Sequence, residues 1–404
     1  MVNNSWKECC LTDLCSVQIG LTHTPKYILH GVPFLSVKDL NNGELSFKDA
    51  KYISHEEFLT ISDAAKPKNG DIVFGRVGTL GNPCIVNTKN DFAIFVSLGY
   101  FRTKEGVLNE FIYHWLKSDL FYRLVEEKIA GSSQKNLNTG WLKEFFVVLP
   151  PYNEQKCIAE ALSDVDGMIS SLEKLIAKKK AIKQGAMQEL LTGKKRLRSF
   201  NGEWSKINLA KKSKIKARIG WQGLTTNEYL DSGYSYLVTG TDFVNGKIDW
   251  DNCHYVAKDR FDQDKNIQIQ NDDILITKDG SLGKTALVKG LDQPATLNSG
   301  VFVIRPIQES YDPAFVYYIL SSFVFKDFLD HLSAGSTIIH LYQKDISKFE
   351  FLMPPTIGEQ VAIASILSDM DKEIESLEQK LAKTRQIKQG MMQQLLTGKI
   401  RLIL

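Results

Sequence analysis

Two short runs in this 404-residue chain carry chemistry-bearing residue types at nearly the spacing a reaction would need. GSLGKT, residues 280–285, has the Gly-Lys-Thr of a loop that wraps phosphate in backbone N–H groups. That loop needs a glycine five residues before the Gly-Lys pair, where Lys278 stands, and the equivalent run GTLGNP at 78–83 has neither Lys nor Thr. LPPY at 149–152 resembles the Asn/Asp-Pro-Pro-Tyr signature of amino-methyl transfer, in which the first side chain accepts from the target amino group and Tyr stacks on an extruded base. Leu149 can accept nothing, and the second copy reads MPPT. No nucleophile elbow, paired carboxylates or glycine-rich cofactor loop stands out, and the seven histidines are dispersed. Cys9, Cys10, Cys15, Cys84, Cys157 and Cys253 form no CxxC pair, so reduced thiols are expected rather than disulfides or a zinc site. The expectation is a chain with no catalytic residue, no metal and no cofactor of its own.

The elements that surround these runs occur twice. Residues 154–197 read EQKCIAEALSDVDGMISSLEKLIAKKKAIKQGAMQELLTGKKRL, and residues 359–402 read EQVAIASILSDMDKEIESLEQKLAKTRQIKQGMMQQLLTGKIRL, without a gap between them. A repeat at half-chain spacing governs the architecture. Each copy follows a double proline, Pro150-Pro151 or Pro354-Pro355, which opens a helix; Asn153 is the expected cap in the first copy and Thr356 with Glu359 a capping box in the second. Ile158, Leu162, Val165, Ile169, Leu172 and Ile176 step by four and three, as do Ile363, Leu367, Met370, Ile374, Leu377 and Leu381, an a/d seam that predicts one antiparallel pair of long helices. The seam falters at Lys179 and Thr384, which predicts a stutter or kink, and Gly185 and Gly390 inside the pattern predict close approach of two helices.

The repeat extends into the preceding segments. GDIVFGRVGTLGN at 70–82 answers DDILITKDGSLGK at 272–284, each an apolar run readable as a buried strand, then a glycine-punctuated turn with one basic residue, Arg76 or Lys278. Aromatic helical stretches follow, EFIYHWLKSDLFYRLVEEKI and PAFVYYILSSFVFKDFLDHL, whose helical spacing among aliphatic neighbours marks them as core. The predicted fold is α/β: two globular domains of mixed strands and helices, 1–150 and 199–353, alternating with two long helices, 151–198 and 354–404, in a pseudo-twofold tandem repeat. The domains share a skeleton but differ in polar loop residues, Gln134-Lys135-Asn136 standing opposite Ile338-Ile339-His340. Like frames with unlike loops suit a protein that reads two targets.

Hydrophobic residues at 43% and charged residues at 24% are ordinary for a globular protein, and a net charge of +3 permits nucleic-acid binding without arguing for it. No run approaches a membrane span, and the start MVNNSWKECC has no signal-peptide core, so a cytoplasmic location is expected.

In their order and double occurrence, the D-I-[VL]-x-x-[RK]-x-G-[ST]-L-G turn, the late Gly-Ser loop and the PP-x-x-EQ junction into a helix ending LLTGK resemble the specificity subunit of type I restriction-modification enzymes. The likeness covers essentially the whole chain; Tyr152 and Thr356 replace the Leu usual after the double proline. The resemblance implies a non-catalytic reader of double-stranded DNA, each domain taking one half of a bipartite sequence while the paired helices set the distance between halves. Roughly 30 helical residues span about 45 Å, against about 34 Å for one duplex turn. It also implies two methyltransferase (modification) subunits and up to two restriction/translocase subunits as partners, with S-adenosylmethionine, ATP and Mg on them. For base contacts the polar loop residues Arg76, Gln134, Lys135 and Asn136 are expected in the first domain, and Lys278, His340 and Tyr342 in the second, because Arg or Lys donates to guanine and Asn or Gln pairs with adenine. An autonomous DNA-binding regulator, or a coiled-coil scaffold whose domains bind proteins, are the competing classes.

Overall fold

The computed structural model describes residues 6–41, 43–78, 80–130, 136–333 and 340–402. The chain resolves into two compact units, residues 1–174 with 378–404 and residues 175–377. Two helices of 39 residues each, Tyr152–Leu190 and Ile357–Leu395, contribute one end to each unit.

The first unit is built on a four-stranded antiparallel sheet. Leu98–Thr103 is central and pairs with Cys15–Ile19 on one side and Ile72–Gly75 on the other; Ile72–Gly75 then pairs with Gly81–Ile85. Ile72, Val73 and Phe74 are all buried, which is why this strand reads as a continuous apolar run rather than an alternation. A smaller mixed sheet joins Val32–Leu35 to Lys51–Ile53 antiparallel and to Ala93–Ile94 parallel. Lys7–Cys10 pairs with Phe146–Leu149 beside the long helix start.

The second unit repeats this plan. Val301–Pro306 lies between Ser213–Ala217 and Ile274–Thr277, with Thr285–Leu287 outside; Ser235–Val238 joins His254–Val256 and Ala295–Leu297; Ser205–Asn208 pairs with Glu350–Met353. The α/β fold class and the tandem repeat are therefore as the sequence predicts.

Each aromatic stretch is two helices, not one: Asn109–Leu116 and Asp119–Ile129, then Pro313–Leu320 and Phe323–Ser333. The break comes where Ser118 Oγ donates to Trp115 O at 2.6 Å and Ser322 Oγ donates to Ile319 O at 2.7 Å, side chains that replace the next helical partner. Phe111, Trp115 and Phe121 are buried in the first core, Phe315 and Phe325 in the second.

The long helices run antiparallel in both units. In the first, Glu173 pairs with Arg385 and Asp166 with Lys388, both at 2.6 Å; in the second, Lys179 pairs with Glu373 at 2.6 Å and Lys183 with Asp371. Both helices continue unbroken through Lys179, which is ion-paired, and Thr384, whose Oγ1 donates to Lys380 O at 2.8 Å. Two expectations are corrected. Gly185 and Gly390 do not mark close approach, since a Cβ at either would meet nothing within 4 Å. Asn153 lies inside its helix, whose first N–H groups, those of Glu154 and Gln155, donate to Pro151 O. No helix among the described residues is long and apolar enough to cross a membrane, and none of their His, Cys, Asp and Glu side chains group as a metal site would.

Candidate nucleic-acid interface

The repeated strand-and-turn motif is braced from below by its aspartate. Asp71, almost fully buried, accepts both arms of Arg102 (Nε to Oδ1 at 2.8 Å, NH2 to Oδ2 at 2.7 Å) and the Lys68 N–H at 2.6 Å. Asp273 does the same with Arg305, at 2.7 and 2.6 Å, and with Gln270 N–H at 2.7 Å. These bidentate pairs hold both guanidiniums charged, their pKa raised first by the aspartate hydrogen bonds. The motif's Asp is thus a clamp on the strand start and leaves the glycine turn at the other end as the exposed feature.

At that end hydrogen bonds join further segments to the turn, three in the first unit and two in the second. In the first, Arg76 and Val77 N–H groups donate to Ser97 O (2.9 and 3.3 Å), Val37 N–H donates to Ser97 Oγ (3.1 Å), and Leu137 N–H donates to Arg76 O (2.9 Å). In the second, Lys278 N–H donates to Gly300 O (2.9 Å) and Leu341 N–H to Lys278 O (3.1 Å). Each rim carries a glycine turn, the loop before the central strand, the late loop and a short 3-10 turn, which in the second unit meets the Thr277 methyl at Gly240.

The residues expected to contact bases fall as follows. Arg76 is half-buried and turned inward: Nε donates to Leu137 O at 3.2 Å and NH1 to Val96 O at 2.9 Å, so it ties the late loop and the Ser97 loop to the turn. Asn136 is bridged to Val77 at the rim, while Gln134 and Lys135 lie outside the described residues. Lys278 carries its ammonium 5.7 Å from the Phe302 ring centre. His340 Nδ1 pairs with Asp279 Oδ1, and the His340 ring lies 6.2 Å from that of exposed Tyr342. The structure thus brings Arg76 to Asn136, and Lys278 to His340 and Tyr342.

Some residues on this frame were not singled out from the sequence. Arg218 is buried below the second rim, with Nε donating to Leu297 O at 2.8 Å and NH2 to Thr296 Oγ1 at 3.3 Å; burial lowers its pKa. Its place at the end of a strand carries no motif that would have shown this. Trp6 and Trp204 had a signal, since each stands shortly before the first paired strand of its half.

The tryptophans complete a clasp that accounts for the PP-x-x-EQ and LLTGK motifs. In the first unit Glu154 accepts from Arg401 through both carboxylate oxygens, each at 2.7 Å, and from Trp6 Nε1 at 2.9 Å. In the second Glu359 accepts from Arg196 at 2.7 and 2.8 Å and from Trp204 Nε1 at 3.4 Å. The tail of each repeat copy thus seals the start of the other. Arg401, with smaller contributions from Trp6, holds the Glu154 carboxyl below the usual range. The glutamines tie the same junction to the core: Gln155 Oε1 accepts from Leu108 N–H and Gln360 Oε1 from Asp312 N–H, both at 2.8 Å.

Of the seam positions, Ile158 and Leu162 pack in the first core with Met392, Leu395 and Leu396, and Ile363 and Leu367 in the second with Leu190 and Leu191. Leu172, Ile176 and Ile374 are buried; Val165, Ile169, Met370, Leu377 and Leu381 are half-buried. The helix ends therefore serve the helix pair and the globular core at once.

The model of the type I restriction modification DNA specificity domain matches residues 3–184 and 223–386. A putative type I restriction enzyme specificity subunit of Methanocaldococcus jannaschii, MjaX, is 25% identical over 99% of this chain and 95% of its own length. The EcoBI specificity subunit of Escherichia coli is 22% identical over 99% and 87%. In fold, the type I restriction-modification S subunit from M. genitalium matches with a TM-score of 0.60 over 98% of this chain and 97% of its own, at 17% identity. With a family match over most of the sequence and in both halves, the chain belongs to the type I restriction-modification DNA specificity family.

Proposed function

We propose that this chain is the non-catalytic, sequence-reading subunit of a type I restriction-modification complex, each recognition domain reading one half of a bipartite duplex target. The observation that carries the reading is the pair of rims: two backbone hydrogen bonds, turn to loop and late loop to turn, recur in both, yet Asn136 stands on one and His340 and Tyr342 on the other. A common frame with unlike exposed side chains is what two different half-sites require. Arg76 positions the late loop, and Asn136, His340 and Tyr342 are the base-contacting candidates that remain among the described residues. Lys278, whose counterpart Arg76 is turned inward, is the basic candidate of the second rim.

The long helices set the separation of the half-sites and hold two modification subunits, with up to two restriction/translocase subunits in the complete nuclease. S-adenosylmethionine, ATP and Mg belong to those partners, and the complex works in the cytoplasm, where the DNA is. Mapping methylated adenines in the host genome with and without this gene tests the reading. Loss of one bipartite motif on deletion is expected; an unchanged methylation pattern would overturn it. An autonomous regulator would bind one sequence tightly as the purified chain, and a protein scaffold would show no salt-dependent DNA affinity.

A further inference from the structure

The fourth segment of each rim is a 3-10 turn, Val37–Asp39 in the first unit and Gly240–Asp242 in the second. Both are locked by the same capping box. Asp39 Oδ2 accepts from Ser36 N–H at 2.7 Å and Ser36 Oγ at 3.0 Å; Asp242 Oδ2 accepts from Thr239 N–H at 2.7 Å and Thr239 Oγ1 at 3.0 Å. Each turn is then pinned to its neighbours on the rim. In the first unit, Val37 N–H donates to Ser97 Oγ, and the Val37 side chain lies 4.0 Å from the Cβ position of Gly78. In the second, Gly240 sits so close to the Thr277 methyl that a Cβ there would lie 2.7 Å from it. The box fixes the backbone, and the one side chain on each turn left fully exposed is Lys38 in the first unit and Thr241 in the second.

Those two residues occupy equivalent positions and differ in both charge and reach. A phosphate contact carries no sequence information and would serve both halves alike, so it favours the same residue type in each domain. Lys38 and Thr241 do not follow that pattern. Among the described residues the Lys38 ammonium makes no hydrogen bond or ion pair, unlike the guanidinium of Arg76, which is bound to two carbonyls. The surface beside it is concave, lined by Tyr27, Phe34 and Phe95 together with Lys51 and the carboxylates of Asp39, already held in its capping box, and Asp49.

We infer that Lys38 is a further specificity-determining residue, its ammonium donating to the O6/N7 edge of a guanine in the half-site read by the first domain, with Thr241 in the equivalent place for the second. This rests on the DNA-reading function proposed above. A turn held rigid on the rim fixes where the lysine chain starts and so limits which base edges its ammonium reaches, and one good contact of this kind discriminates by about tenfold or more.

The test replaces the native chain in its host by Lys38→Ala, and separately by Lys38→Gln and Thr241→Lys, and maps methylated adenines for each. Lys38→Ala and Lys38→Gln should each relax one guanine position in one half-site, with off-motif methylation there rising about tenfold, while the other half and the spacer stay unchanged. Thr241→Lys should alter only the opposite half. An unchanged motif in the Lys38 variants, or a uniform fall in methylation at every site, overturns the assignment. Absence of any bipartite motif with the native chain would instead sink the DNA-reading function itself, so the two failures are distinct. Lys38 packs in no core, and copurification of each variant with its partner subunits shows that it folds.

Discussion

His114 places a titratable ring in the core of the first unit. Its side chain is fully buried, Nε2 lies 3.0 Å from Ser163 Oγ, and Nδ1, 3.9 Å from Asp166 Oδ2, has no hydrogen-bond partner among the described residues. Burial lowers its pKa to about 4; Asp166 opposes the shift, and Lys388 and Lys117 add to it. Because the folded value lies below the unfolded one, near 6.5, the neutral ring's contribution is complete above that pH and lost as pH falls towards 4. The loss amounts to about 3 kcal/mol. Urea midpoints of His114→Asn should therefore fall less between pH 7 and 4.5 than those of the native chain, and equal slopes would remove His114 as the cause. Asp71 makes a different kind of prediction. Asp71→Ala strands the half-exposed Arg102 beside a buried cavity, which should cost about 2 kcal/mol of stability. It should leave the methylated sequence unchanged, whereas substitution of Asn136 should change the sequence that is methylated. Methylation mapping and chemical denaturation on the same two variants separate clamp from reader.

Two pairs of equivalent glycines sort into two classes by geometry alone. Gly193 and Gly398 stand three residues past their helix ends at φ of +70°, with the Cβ position 3.2 Å from Trp204 and 3.0 Å from Trp6, so alanine at either meets both backbone strain and an indole. Gly185 and Gly390 sit inside their helices, five residues before the ends, with open space around the Cβ position, so alanine there should raise stability by about 1 kcal/mol. Thermal unfolding should show Gly398→Ala lowering the midpoint and Gly390→Ala raising it; a loss with Gly390→Ala would mean that its face is occupied. The contrast also shows what a single sequence can carry. Spacing of Ile158 to Ile176 and of Ile363 to Leu381 made the two long helices and their antiparallel pairing legible, since a/d repeats are local and periodic. The strand pairs were legible as apolar runs such as IVF and ILI. The splits at Ser118 and Ser322 were not, because a serine that bonds back to the preceding turn looks in sequence like any other helix residue. The rims were legible only as turn and late loop, because the bonds that assemble them join residues some 60 positions apart, as from Leu137 N–H to Arg76 O. The inward guanidinium of Arg76 follows from that same assembly, which is why composition alone pointed it towards DNA.

Each repeat copy lends its tail to the unit that holds the other copy's start, so both units are closed by residues from both halves of the sequence: Glu154 with Arg401, and Glu359 with Arg196. The stretches of helix between those clasps, on either side of residues 174–175 and 377–378, carry no rim residue and no clasp residue. They are the place where length can change without altering what either domain reads. Four residues of helix add about 6 Å, and duplex DNA advances about 3.4 Å per base pair. An insertion in one helix alone would shift its charges past their partners, separating Glu173 from Arg385 or Lys179 from Glu373. Four residues inserted in both, after Lys174 and after Leu377, keep each clasp and each local register. The paired insertion should therefore yield a complex that methylates the same two half-sites with a spacer longer by one or two base pairs, whereas the single insertion should yield a poorly assembled one. Sequencing of methylated adenines reads both outcomes directly. A paired insertion that assembles fully and still recognises the original spacer would show that the helices bind partner subunits but do not measure DNA.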